Sequence, residues 1–156
     1  MTSYPAQAAT TIEPVVKEVD VPLTVERAFA LFTDGIADWW PLATHSVAGE
    51  QAVGSFFEPR IGGRLLETAA DGSQHAWGTV REWDPPRRLA LTWHPGRAPD
   101  TAQELSVEFS PEGDRTRLRL VHTGWERLGD EGRAERATYE PGWDFVLGRY
   151  LENAAR

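Results

Sequence analysis

The chain has 156 residues, a formal net charge of −8 with a pI near 5.0, and no cysteine. That length suits one domain with a full hydrophobic core. The acidity argues against nucleic acid or an anionic membrane surface as partner. The absence of cysteine excludes a disulfide framework and a thiolate zinc site, and fits a reducing, cytoplasmic setting.

Residues 1–14 (MTSYPAQAATTIEP) have neither a basic n-region nor an apolar run. They read as a disordered lead-in rather than a secretory signal, with one domain over 15–156. No later stretch is long and apolar enough to span a bilayer. Val15–Val21 alternates around Lys17, Glu18 and Asp20 and predicts an opening strand that Pro22 closes. Thr24 is placed as an N-cap with Glu26 in the first turn. Val25, Ala28, Phe29 and Phe32 then form the stripe of an amphipathic helix. Asp34-Gly35 ends it, and Ile36–Trp40 adds about one more turn before Pro41.

Six strands are predicted next: Val53–Glu58, Arg64–Thr68, Gln74–Trp83, Arg88–His94, Gln103–Ser110 and Arg115–Thr123. Asp71-Gly72 marks a two-residue hairpin, and Asp84-Pro85-Pro86 ends a strand because proline gives no N–H to a ladder. In the last strand Leu118, Leu120 and His122 share one face while Arg117 and Arg119 point away. Gly124–Ala137 is polar and predicts irregular or weakly helical chain. Pro141 suits the first turn of a final helix, whose buried stripe is Trp143, Val146, Leu147, Tyr150, Leu151 and Ala154. The expected fold is α+β. A curved antiparallel sheet of about seven strands wraps a long C-terminal helix, with two short helices after the first strand and space for a small ligand between the layers.

These motifs resemble those of the helix-grip or START-like superfamily (SRPBCC), and within it the group of heat-shock-protein-90 ATPase activator homologues. The residues concerned are Gly62-Gly63-Arg64, Asp71-Gly72, Trp77-Gly78-Thr79-Val80, Trp83-Asp84-Pro85-Pro86-Arg87-Arg88-Leu89 and Leu91-Thr92-Trp93. Phe32-Thr33, Trp39-Trp40-Pro41, His122-Thr123-Gly124-Trp125 and Gly142-Trp143 with Leu147 and Tyr150 extend the likeness from about Val15 to Ala154. The resemblance implies a sheet gripping a helix over a hydrophobic cavity. It also implies a role among hydrophobe binders, polyketide cyclases and chaperone co-factors; the eukaryotic co-chaperones carry a second domain with no counterpart in this sequence. Fold alone does not choose among these roles.

The candidate ligand-binding residues are Trp39 and Trp40 near one mouth of the cavity, Phe57, Trp77 and Trp93 from strands, His122 from the last strand, and Trp143 from the helix stripe. Rings converging from separate segments suit an apolar, ring-bearing small molecule; the competing account is that they fill the space and leave no pocket. Whether the face of the Gln74–Trp83 strand carrying Trp77 points inward is left open. His122 is read by preference as a structural histidine satisfied by backbone; its functional alternative is an acid or base. Glu67 and Arg64 are read by preference as solvated charges on an edge strand, with an inward carboxylate as the alternative.

His45, His75 and His94 lack ligand spacing, so no metal site is expected. Ser46, Ser55, Ser73 and Ser106 lack the setting of an activated nucleophile. Gly62-Gly63 precedes no helix N-terminus, and no cofactor is expected. The favoured function is therefore non-catalytic binding of a small hydrophobic molecule. The rivals are a cyclase- or aromatase-like enzyme using His122 or Glu67, and a chaperone-linked interaction module. Tryptophans left on the surface would point to a homodimer.

Overall fold

A computed structural model of the protein describes residues 11–156, so the first ten residues of the expected lead-in lie outside the described residues. Seven strands form one antiparallel sheet: β1 (Val15–Val21), β2 (Ala52–Phe57), β3 (Arg64–Ala69), β4 (Gln74–Asp84), β5 (Arg88–Trp93), β6 (Gln103–Glu112) and β7 (Arg115–Thr123). Their order is β1-β7-β6-β5-β4-β3-β2, which leaves β1 and β2 as the edges. Register shifts in the β2–β3, β3–β4 and β4–β5 pairs bend this half of the sheet, and the whole curls into a half-barrel. The hairpin at Asp71-Gly72 forms, with a four-residue connection, Ala70–Ser73, in place of the expected two. Gly72 takes φ +89° and the Asp71 carboxylate accepts from the Ser73 N–H and hydroxyl.

Helix α1 (Val25–Thr33) starts at the Thr24 cap, whose hydroxyl accepts from the Arg27 N–H, and α2 (Ile36–Trp39) follows it directly. Helix α3 (Gly132–Ala154) lies across the concave face and buries Trp143, Val146, Leu147, Tyr150 and Ala154. Burial of each larger side chain in that stripe is worth roughly 2 kcal/mol. Phe29, Phe32, Phe109, Tyr150 and Trp39 form a chain of edge-to-face contacts at one end of the core, with Phe32 and Trp39 tilted against each other. The Tyr150 hydroxyl donates to the Ala28 carbonyl, tying α3 to α1.

Two expectations need correction here. The final helix begins nine residues before Pro141, at Gly132, and Trp125–Glu131 leads into it as 3-10 turns broken by a kink at Gly129 (φ +63°). Pro141 is tolerated inside the helix because Pro141 and Ala137 both face solvent, where the carbonyl that loses its N–H partner can be hydrated. The second correction concerns Glu67. Strand β3 lies between β2 and β4, and Glu67 is fully buried, not a solvated charge on an edge. Arg64, at the start of β3, is exposed.

Candidate functional site

A cleft of about 560 Å³ opens between α3, the segment after Pro41, and strands β4 and β5. Four tryptophans from four elements wall it: Trp40 at the end of α2, Trp77 on β4, Trp93 on β5 and Trp143 on α3. Trp77 therefore faces inward. The ring centroids of Trp40 and Trp77 lie 5.0 Å apart, those of Trp77 and Trp93 5.9 Å, and those of Trp93 and Trp143 5.4 Å.

Each of the four indole N–H groups is committed to a partner within the protein. Trp40 donates to the His45 carbonyl at 2.7 Å and Trp77 to the Glu67 carboxylate at 2.7 Å. Trp93 donates to the Tyr139 hydroxyl oxygen at 2.9 Å, and Trp143 to His122 Nδ1 at 3.0 Å. The indoles thus have no N–H left over for a guest, and their apolar ring surface is what they offer it.

Glu67 fixes one wall. Its Oε1 accepts from the Val47 N–H at 2.8 Å as well as from Trp77, and its Oε2 accepts from the Ala48 N–H at 2.7 Å. One buried carboxylate thereby joins strand β3, a tryptophan of β4 and the loop that closes the cleft. Three N–H donors satisfy a buried carboxylate without a cation.

His122 lies beneath the cleft floor. Because Trp143 donates to Nδ1, the imidazole proton sits on Nε2 and is donated to Gln103 Oε1 at 3.2 Å. The ring also stacks on Trp125 at 3.9 Å. Burial pushes its pKa down to about 3, so the ring is neutral under ordinary conditions. The satisfying partners are two side chains, where the sequence suggested backbone.

Trp40, Trp77, Trp93 and Trp143 are thus brought together, and the other three candidates are not part of the lining. Trp39 is packed behind it against Phe32 and Tyr150, with its N–H donated to the Leu31 carbonyl. Phe57 sits away from it, against Trp83. None of the seven tryptophans is exposed; Trp83, the least buried, packs on Phe29 and Phe57.

Two aromatic rings of the cleft lining, Tyr139 and His45, were not among the candidates. Tyr139 lies on α3 four residues before Trp143, so extending the helix stripe backward would have reached it; treating Pro141 as the helix start hid it. His45 follows Trp40 on the loop and stacks on Phe145 at 5.1 Å, with Nδ1 2.7 Å from the Thr44 hydroxyl. Burial lowers the His45 pKa. Among the described residues no group of three His, Cys, Asp or Glu is placed to hold a metal ion. No helix of the described residues is long and apolar enough to cross a membrane.

A seven-stranded antiparallel sheet curled around a C-terminal helix defines the helix-grip class. Within it, the chain belongs to the family described as Activator of Hsp90 ATPase homolog 1-like protein, which matches residues 22–155. No curated protein matches the sequence. Among solved structures, the chain is 35% identical to an anthrahydroquino-γ-pyrone synthase, Txn09, complexed with SUM; the match covers 92% of this chain and 97% of that one, with a TM-score of 0.63. It is 28% identical to CalC, a self-sacrificing resistance protein from Micromonospora echinospora, over 90% of this chain and 93% of that one, with a TM-score of 0.68. The Aha1 dimer from Colwellia psychrerythraea shares the fold at 17% identity, covering 90% and 95% of the two chains with a TM-score of 0.63.

Proposed function

We propose that the protein binds a planar aromatic small molecule in the tryptophan-walled cleft. The observation that carries this reading is the commitment of all four indole N–H groups to internal partners, which leaves ring surface as the wall of a cavity about 560 Å³ in volume. That volume falls within the range of small-molecule pockets, and such walls favour stacked or edge-on rings. The likeness to a protein named as an anthrahydroquino-γ-pyrone synthase supports a fused-ring ligand.

The same likeness supports a second reading, ring-closing catalysis on the bound molecule. His122 and Glu67 are poor candidates for it, because their hydrogen-bonding atoms are already engaged. The titratable groups lining the cleft are instead His45, Glu135 and Tyr139.

The test uses Gly142, which lines the cleft and has no atom within 4 Å of the position a Cβ would take. Gly142→Leu fills the cleft and raises helix propensity. Tricyclic aromatics should quench the tryptophan fluorescence of the wild type with one-to-one stoichiometry. The Leu variant should lose that binding while melting no lower. Unchanged affinity in the variant, or no binding by the wild type, would overturn the reading. Recovery of the ligand chemically unchanged separates binder from enzyme.

A further inference from the structure

We infer that the ligand carries a carbonyl group on its aromatic edge and that the Tyr139 phenol donates the hydrogen bond that recognises it. The inference rests on the aromatic-cleft reading above. A phenol has one proton to donate and lone pairs to accept with. The Tyr139 oxygen accepts from Trp93 Nε1, and its own proton is donated to no acceptor among the described residues. The other hydroxyls of the lining are committed. Ser46 donates to the Leu42 carbonyl and accepts from the Gly49 N–H, Thr138 donates to the Ala134 carbonyl, and Thr44 is engaged by His45 Nδ1 and the Pro41 carbonyl. The cleft therefore presents one uncommitted hydroxyl proton among the described residues, beside the indoles of Trp93 and Trp143.

Accepting a hydrogen bond at its oxygen makes a phenol a stronger donor. Burial raises the Tyr139 pKa; the Trp93 hydrogen bond opposes that, Glu135 adds to it and Arg97 opposes it, with the net shift upward. The phenol accordingly keeps its proton at neutral pH. A carbonyl suits this setting because its lone pairs lie in the plane of the ring to which it is attached, and it brings no proton that would need an acceptor. A ring stacked on the indoles and pinned at one edge is thereby oriented as well as held.

The test compares two guests of nearly equal shape, anthraquinone and anthracene, against wild type and Tyr139→Phe. The substitution also leaves the Trp93 N–H without its partner, a cost common to both guests. The Phe variant should therefore weaken anthraquinone about five- to tenfold while changing anthracene less than twofold. In the wild type the carbonyl infrared band of bound anthraquinone should lie at lower frequency than in an apolar solvent, and Tyr139→Phe should abolish the displacement. Equal weakening of both guests, or none for anthraquinone, would overturn the donor role while the aromatic cleft stands. Binding of neither guest by the wild type would overturn both. Should the variant fail to fold, an undisplaced carbonyl band in the wild type overturns the inference by itself.

Discussion

Replacing Glu67 by Gln should loosen one wall of the cleft while leaving its volume intact. The carboxylate accepts three N–H donors at 2.7 to 2.8 Å. Charge-assisted bonds of this kind are worth about 2 kcal/mol each, against about 1 for neutral ones. A glutamine oxygen at the Oε1 position keeps Val47 and Trp77 as neutral bonds, a loss of about 1 kcal/mol each. Its amide nitrogen then opposes the Ala48 N–H and forfeits that bond outright, about 2 kcal/mol more. Burying a neutral amide instead of a carboxylate costs less, which returns part of that sum and leaves a net destabilisation of about 2 kcal/mol. With a urea m-value of about 2 kcal/mol/M, the unfolding midpoint should fall by about 1 M at unchanged m. Hydrogen exchange should speed up at the Val47 and Ala48 amides ahead of the sheet core. A midpoint within about 0.2 M of wild type, or a lowered midpoint with both amides as protected as before, would refute the clamp.

Burial holds the folded pKa of His122 down to about 3, against an ordinary value of 6.5. Below pH 6.5 the unfolded chain takes up a proton that the native chain refuses, so stability falls with falling pH until the folded pKa is reached. From pH 6.5 to pH 5 the loss should be about 2 kcal/mol from this group alone. Urea titrations across that window should find a shallower slope in His122→Gln, and parallel slopes would sink the account. At Gly78, an added Cβ would lie 1.6 Å from the Thr92 carbonyl oxygen, a backbone atom that cannot move aside. Gly78→Ala should cost about 4 kcal/mol or more and leave the protein poorly soluble, whereas Gly142→Ala should melt normally. A Gly78→Ala melting point within a few degrees of wild type contradicts that close approach.

Strands were the most legible part of the sequence, because alternation and turn residues are local signals. All seven form within a residue or two of their expected bounds, and His122 shares the buried face with Leu118 and Leu120 as its spacing implied. What escaped was either non-local or masked by a stronger local cue. The partners of Glu67 come from a loop about twenty residues earlier and from a neighbouring strand, so nothing around Glu67 announces them. Tyr139 fell in polar chain ahead of a proline, and the proline outweighed the helical spacing Tyr139, Trp143, Val146, Tyr150. The inward orientation of Trp77 had to come from the pairing of β4 in the sheet, where register shifts interrupt simple alternation.

The close set of indoles around the cleft also governs what light can report. Neighbouring centroids 5.0 to 5.9 Å apart permit excitation to hop among the four rings well before any of them emits. Optically they behave as one antenna rather than as four separate lamps. A guest that drains energy from whichever ring it touches would dim its neighbours as well, so the emission would record occupancy of the cleft as a whole. Replacing one of these tryptophans would, for the same reason, redistribute the signal instead of simply subtracting one ring's share of it.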